Sequence, residues 1–260
     1  MSQTLNYIHP NAKLGENVTV EPFAYIADNV EIGDGTWIGP NVTIMSGARI
    51  GKNCKIYPGS SISGVPQDLK FGGEETTTEV GDNTVIREYV TISRGTEDKL
   101  KTKIGSNCLL MAYVHVAHDC FIGNHCILVN NVQMAGHVIV DDWAIVGGSS
   151  SIHQFVKIGA HAFVSGGSLV RKDVPPFVKA AREPLSYAGI NSVGLRRRGF
   201  GNEKINEIQE VYRQIFQKGL NNSKALEVVE ALIPPSSERD DIIQFVKSSE
   251  RGIMKGFNNM

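Results

Sequence analysis

Apolar residues return every six positions along most of this chain. From Ile8 the steps are Leu14, Val20, Ile26, Ile32, Ile38, Ile44, Ile50, Ile56 and Ile62. After a gap come Val80, Ile86 and Ile92. After a second gap come Ile104, Leu110, Val116, Ile122, Leu128, Met134, Val140, Val146, Ile152, Ile158, Val164 and Val170, all in one phase. A period of six fits neither a 3.6-residue helix nor an alternating strand. It fits short strands joined by corners. Four positions after each step the residue is usually small, as at Ala24, Val30, Ala48, Cys54, Ser60, Cys108, Cys120 and Cys126. Each unit therefore turns one large and one small side chain inward. Gly, Asn or Asp commonly follow the large one, as in Ile32-Gly33-Asp34-Gly35, and these residues tolerate the left-handed backbone of tight corners. Three six-residue units close one triangular coil, and coils stack as parallel strands about 4.8 Å apart.

The expected fold is mainly β: a parallel β-helix over residues 1–175, with external loops at 63–79 and 94–103, then a small α-helical C-terminal domain at 176–260. The first gap spans almost one coil and keeps the phase, so it must loop outward. Loops leaving a rigid scaffold are where binding residues tend to sit. After Asp173-Val174-Pro175-Pro176 the spacing turns helical, with Ile205, Ile208, Val211, Ile215 and Phe216 at steps of three and four. Leu226, Val229 and either Leu232 or Ile233 mark a second helix, and Ile242, Ile243 and Val246 a third. These helices would cover strand edges that the coil leaves open.

At 41% apolar and 20% charged residues, with net charge −1, the composition is that of a globular protein in water. No apolar run approaches a membrane span, and the start MSQTLNYIHP lacks the features of a signal peptide. A cytoplasmic location is expected, with no nucleic-acid partner. Residues 1–175 carry a net −4 and residues 176–260 a net +3, so a mildly basic tail suits an acidic partner. The four cysteines fall on the small inward position. They read as core filler and as free thiols in a reducing compartment.

Candidate chemistry lies in VHVAHDC, residues 114–120. His118 comes two after Val116 and points outward near a corner. One coil on are Gly136 and His137, and a further coil on are His153 and Gln154, so these form a ladder on one edge with His115 beside it. Such a row suggests a site at a subunit contact. Asp119 follows His118, and a carboxylate beside a histidine fixes its tautomer and favours the imidazolium as it forms. Gly136 could present a backbone N–H to a developing oxyanion. No serine or cysteine occupies a nucleophile-like turn, which favours direct transfer over a covalent acyl-enzyme.

The six-residue repeat resembles the hexapeptide-repeat family, whose coils are left-handed. Narrower strings, PQDLKF (66–71), NTVIREYVTISRGT (83–96), AHDCFIGNHCIL (117–128), IHQF (152–155), DVPPFV (173–178) and LRRRGF (195–200), resemble the bacterial UDP-N-acetylglucosamine O-acyltransferases of lipid A synthesis. That resemblance implies a homotrimer with sites in the clefts between neighbouring coils. It implies transfer of a 3-hydroxyacyl chain from acyl carrier protein to the glucosamine 3-hydroxyl. No cofactor is implied beyond the carrier's phosphopantetheine. By position, His118 becomes the general base, Asp119 its orienting partner and Gly136 the oxyanion donor. Gln67, Asp68 and Lys70 fall on the sugar or thioester side, and His115, His137, His153 and Gln154 line the cleft. Asn191, Arg197 and Arg198 hold phosphates, Gly166 lies where acyl length is set, and the basic tail docks the carrier. Ala181-Arg182-Glu183-Pro184 departs from the family's Gln-Gly-Asn-His, in a region expected to contact nucleotide. A related hexapeptide class binds zinc through histidines five apart. No two histidines here have that spacing, so no metal is expected. A 3-amino sugar acceptor and a non-catalytic assembly module are the other readings.

Overall fold

A computed structural model describes residues 5–256. The chain winds into a three-sided prism of parallel strands, most only two residues long, and nearly every large apolar step ends a strand. The first face runs from Tyr7–Ile8 to Leu169–Val170, the second from Lys13–Leu14 to Lys157–Ile158, and the third begins at Thr19–Val20. In regular coils a strand pairs with the one three hexads later, as in Val116 with Met134 and Ile122 with Val140. The aliphatic steps fill the prism, and all four cysteines are buried and free.

The pairing also measures the loops. Ile62 pairs with Ile92, five hexads on. Ile92 pairs with Val116, four hexads on. Against the regular three, the first excursion inserts two hexads and the second inserts one. The first is thus shorter than the near-complete coil suggested by sequence spacing, since strand pairing extends through Gly64 and resumes at Thr77. Because whole hexads are inserted, no side chain changes face and the core register survives. Both loops leave the corner between the first and second faces. That same corner, one coil later, carries His118 and Asp119.

Corner residues with positive φ include the expected asparagines, such as Asn17, Asn53 and Asn107. They also include Tyr89, Tyr113, His125, Trp143, His161 and Phe177, where bulky side chains are uncommon. Stacking offsets the strain: Tyr89 lies on Tyr113 at 5.3 Å and His125 on Trp143 at 3.9 Å.

Beyond residue 175 the third face gains the strand Val178–Ala181, an antiparallel strand Ser186–Ile190 and the short strand Lys255–Gly256. Helical periodicity does not reveal these strands. Four helices follow: α1 (Ser192–Arg197), α2 (Asn202–Gln217), α3 (Asn222–Leu232) and α4 (Ser237–Lys247). The short α1 carries too few apolar positions to show in the sequence. α2 buries Ile205, Ile208, Val211, Tyr212 and Ile215, and the Tyr212 hydroxyl donates to the Pro176 carbonyl at 2.6 Å. Of the two candidates ending α3, Ile233 is buried and Leu232 is exposed. Among the described residues no helix is long and apolar enough to cross a membrane.

Candidate active site

His118 projects from its corner away from the prism interior, yet it is only 6% exposed. Neighbouring coils and loops cover it. Its Nδ1 lies 2.8 Å from Asp119 Oδ2. Its Nε2 lies 4.0 Å from Asp68 Oδ2 on the first loop. The ring sits against Gly136, and the His137 ring stands edge-on at 5.2 Å.

Asp119 is 1% exposed and holds the left-handed corner conformation. Its backbone N–H donates to Thr102 Oγ1 at 2.9 Å. The Thr96 N–H donates to Oδ1 at 2.9 Å, and the Thr96 hydroxyl donates to Oδ2 at 2.6 Å. Burial pushes the Asp119 carboxyl up. The Thr96 hydroxyl, the His118 ring, the Thr96 N–H and the charge of His137 outweigh burial and hold it below the usual carboxylate range. An ionised carboxylate can only accept, so His118 Nδ1 donates to Asp119 and Nε2 is the ring nitrogen turned toward Asp68. Among the described residues none accepts from the Gly136 N–H.

The ladder splits into two rows, which corrects the sequence grouping. His118, Gly136 and Gln154 form one, and Asp119, His137 and Phe155 the other, because each row advances by one full coil. His137 Nδ1 lies 3.2 Å from Asp98 Oδ2, its Nε2 lies 3.6 Å from Asp119 Oδ2, and its ring stacks on Phe155 at 4.6 Å. His153 falls in neither row. It precedes the corner and is exposed, with Nδ1 3.1 Å from the Gln154 carbonyl. His115 points out from the first face, 2.7 Å from Thr91 Oγ1, and burial together with nearby His118 holds its imidazole below the usual range.

Two clefts flank His118. One, of about 470 Å³, runs over the first face between Gln67, His115, His118, Gly136 and Gln154. The other, of about 350 Å³, lies under the loops and is lined by Asp68, Lys70, Asp98 and His137. His118, Asp119 and His137 bring possible ligand atoms within 4.8 Å of one another. Asp119 Oδ2 already accepts from Thr96 and His118, so the group forms a hydrogen-bonded network.

The remaining candidates lie elsewhere. Asn191 caps α1, accepting from the Gly194 N–H at 3.2 Å and donating to the His161 carbonyl at 3.0 Å. Arg198 reaches His161 Nδ1 at 3.3 Å and covers Trp143 at 5.3 Å, while Arg197 is exposed. Trp143 and His161 mark the corner between the second and third faces. Gly166 sits at the corner between the third and first faces, beside Gly148. One chain therefore does not bring these residues to His118. Thr96, Asp98 and Thr102 were missed in the sequence; the hexad-long insertion after Ser93 was the signal for the first two, and Thr102 lies in the strand Lys101–Ile104 that follows it.

Comparison with known proteins decides the family. A model described as UDP-N-acetylglucosamine O-acyltransferase, domain 2, matches residues 173–254, and bacterial transferase hexapeptide repeats match 29–64 and 101–136. An acyl-[acyl-carrier-protein]–UDP-N-acetylglucosamine O-acyltransferase from Alkalilimnicola ehrlichii is 50% identical over 249 residues, covering 95% of this chain and 96% of its own. The chain belongs to the UDP-N-acetylglucosamine O-acyltransferase family. The crystal structure of a family member from Bacteroides fragilis matches with TM-score 0.96 at 52% identity, covering 98% of this chain and all of that one. One from Acinetobacter baumannii matches with TM-score 0.94 at 42% identity, covering 97% and 99%. The coil is left-handed, as in the family. The segment that departs from the family string, Ala181 to Pro184, ends the strand Val178–Ala181 and enters the hairpin turn before Ser186. Glu183 and Pro184 line a cavity of about 600 Å³ with Leu169, Arg171, Lys172 and Met254. Asn191, Arg197 and Arg198 are not among its lining residues.

Proposed function

We infer that this chain transfers a 3-hydroxyacyl group from acyl carrier protein to the 3-hydroxyl of UDP-N-acetylglucosamine, the first step of lipid A synthesis, in the cytoplasm. The observation that carries the mechanism is the buried His118–Asp119 pair at 2.8 Å beside the Gly136 N–H. His118 Nε2 takes the proton from the sugar hydroxyl as its oxygen attacks the thioester carbonyl. The Gly136 N–H donates to the resulting oxyanion. Collapse of the tetrahedral adduct breaks the carbon–sulfur bond, and the imidazolium returns its proton to the departing thiolate. Asp119 holds the tautomer and stabilises the imidazolium. Gln67, Asp68 and Lys70 contact sugar or thioester, and His115, His137, His153 and Gln154 shape the cleft. No cofactor enters beyond the carrier's phosphopantetheine.

The working unit is a homotrimer. Trp37, Val85, Leu109, Ile127, Ile145 and Phe163 point outward from the third face and are only half-buried in one chain. A neighbouring copy would cover this apolar stripe. It would also set Asn191, Arg197, Arg198 and Gly166 of one copy across the cleft from His118 of another. Arg197 and Arg198 then meet phosphate, and the basic C-terminal part meets the carrier. The test is His118→Ala assayed with acyl carrier protein thioester and UDP-N-acetylglucosamine. Its kcat should fall on the order of 10²–10⁴ with unchanged melting. Undiminished turnover would discard the assignment.

A further inference from the structure

Thr96 makes two hydrogen bonds to one carboxylate, one from its backbone and one from its side chain. It is buried and arrives on the second excursion, the single inserted hexad. The same excursion brings Asp98 to His137. With the His118 ring, Thr96 gives Asp119 three donors on two oxygens, and Thr102 fixes its backbone N–H from behind. Without the Thr96 hydroxyl, the buried Asp119 Oδ2 would lose a donor, a costly state for a carboxylate.

We propose that Thr96 is a positioning residue for the acyl transfer, locking Asp119 in the rotamer that orients His118. The inference rests on His118 acting as the base. Thr96 touches neither reacting group and acts only through Asp119. Its hydroxyl is the largest influence holding that carboxyl low against burial. It does so by sharing the carboxylate's negative charge. Without the hydroxyl, Asp119 binds the His118 imidazolium more tightly, so the dyad gives up its proton only at higher pH.

The decisive comparison is Thr96→Val, which removes only the hydroxyl donor, against Thr96→Ser, which keeps it. For Thr96→Val the expected kcat is about tenfold lower, a fraction of what a general base contributes. KM should stay within about twofold, and the acid limb of the kcat/KM profile should move to higher pH. Thr96→Ser should restore both rate and profile. A wild-type rate and profile in Thr96→Val would overturn the proposal. So would a serine variant as impaired as the valine one, or a raised KM with an unmoved acid limb. If the valine variant does not fold, hydrogen exchange reads the same link. The wild-type Thr96 amide should exchange slowly and lose that protection in Asp119→Asn, and a freely exchanging wild-type amide would overturn the proposal. His118→Ala, run alongside, separates the two claims. If it retains turnover, base and positioning fail together. If it is inactive while Thr96→Val is normal, only the positioning role fails.

Discussion

The His118 imidazole lies directly against Gly136: a Cβ at position 136 would fall 2.6 Å from Cε1 and 2.8 Å from Nε2 of that ring. Glycine is needed there for space, and among the described residues none accepts from its N–H. A methyl group there must push the ring off its place beside Asp119.

Gly136→Ala should therefore lower kcat by about 10²-fold, in the range of losing one oxyanion donor or misplacing a base. The prism should keep its melting temperature within a few degrees, because the clash is with a side chain outside the core. Steady-state rates and a thermal scan of the same preparation check both parts.

His161 gives a pH-dependent stability. Burial, aided by the Arg198 charge, lowers its pKa from 6.5 to about 4. Between those values the unfolded chain binds a proton that the folded chain refuses. Stability should therefore fall as pH drops from 6.5 towards 4 and level off below. His161→Gln should flatten this part of a melting-temperature curve. An equally steep curve in that variant would assign the slope to other groups.

Assembly can be probed on the third face. Ile127→Glu places a charge in the outward apolar stripe without touching the prism interior. With the proposed trimer built through this face, sedimentation should show monomer in the variant, with activity lost because the proposed cleft lacks its second wall. A trimeric, active variant would place the interface elsewhere.

The interior sets the stability of the scaffold. Leu128 is fully buried, so Leu128→Ala should cost about 2–5 kcal/mol, read from denaturant midpoints at unchanged slope.

Sequence alone determined the coil, because nearly every step of six buries an aliphatic side chain between the stacked strands. It also determined that His118 points outward, that the cysteines are core, and that α2 lies where its spacing puts it. Tertiary structure decided what covers His118. Periodicity reports which face a residue takes and says nothing of what a loop outside the repeat will touch. Thr96 and Asp98 sit in such a loop, so their bonds to Asp119 and His137 became visible only when strand pairing put the loop above that corner. The same holds for Asn191 and Arg198. The family resemblance implied phosphate binding for them, but the three-sided winding places them on a different corner from His118. Distance around the prism is set by the coil and not by proximity in the chain.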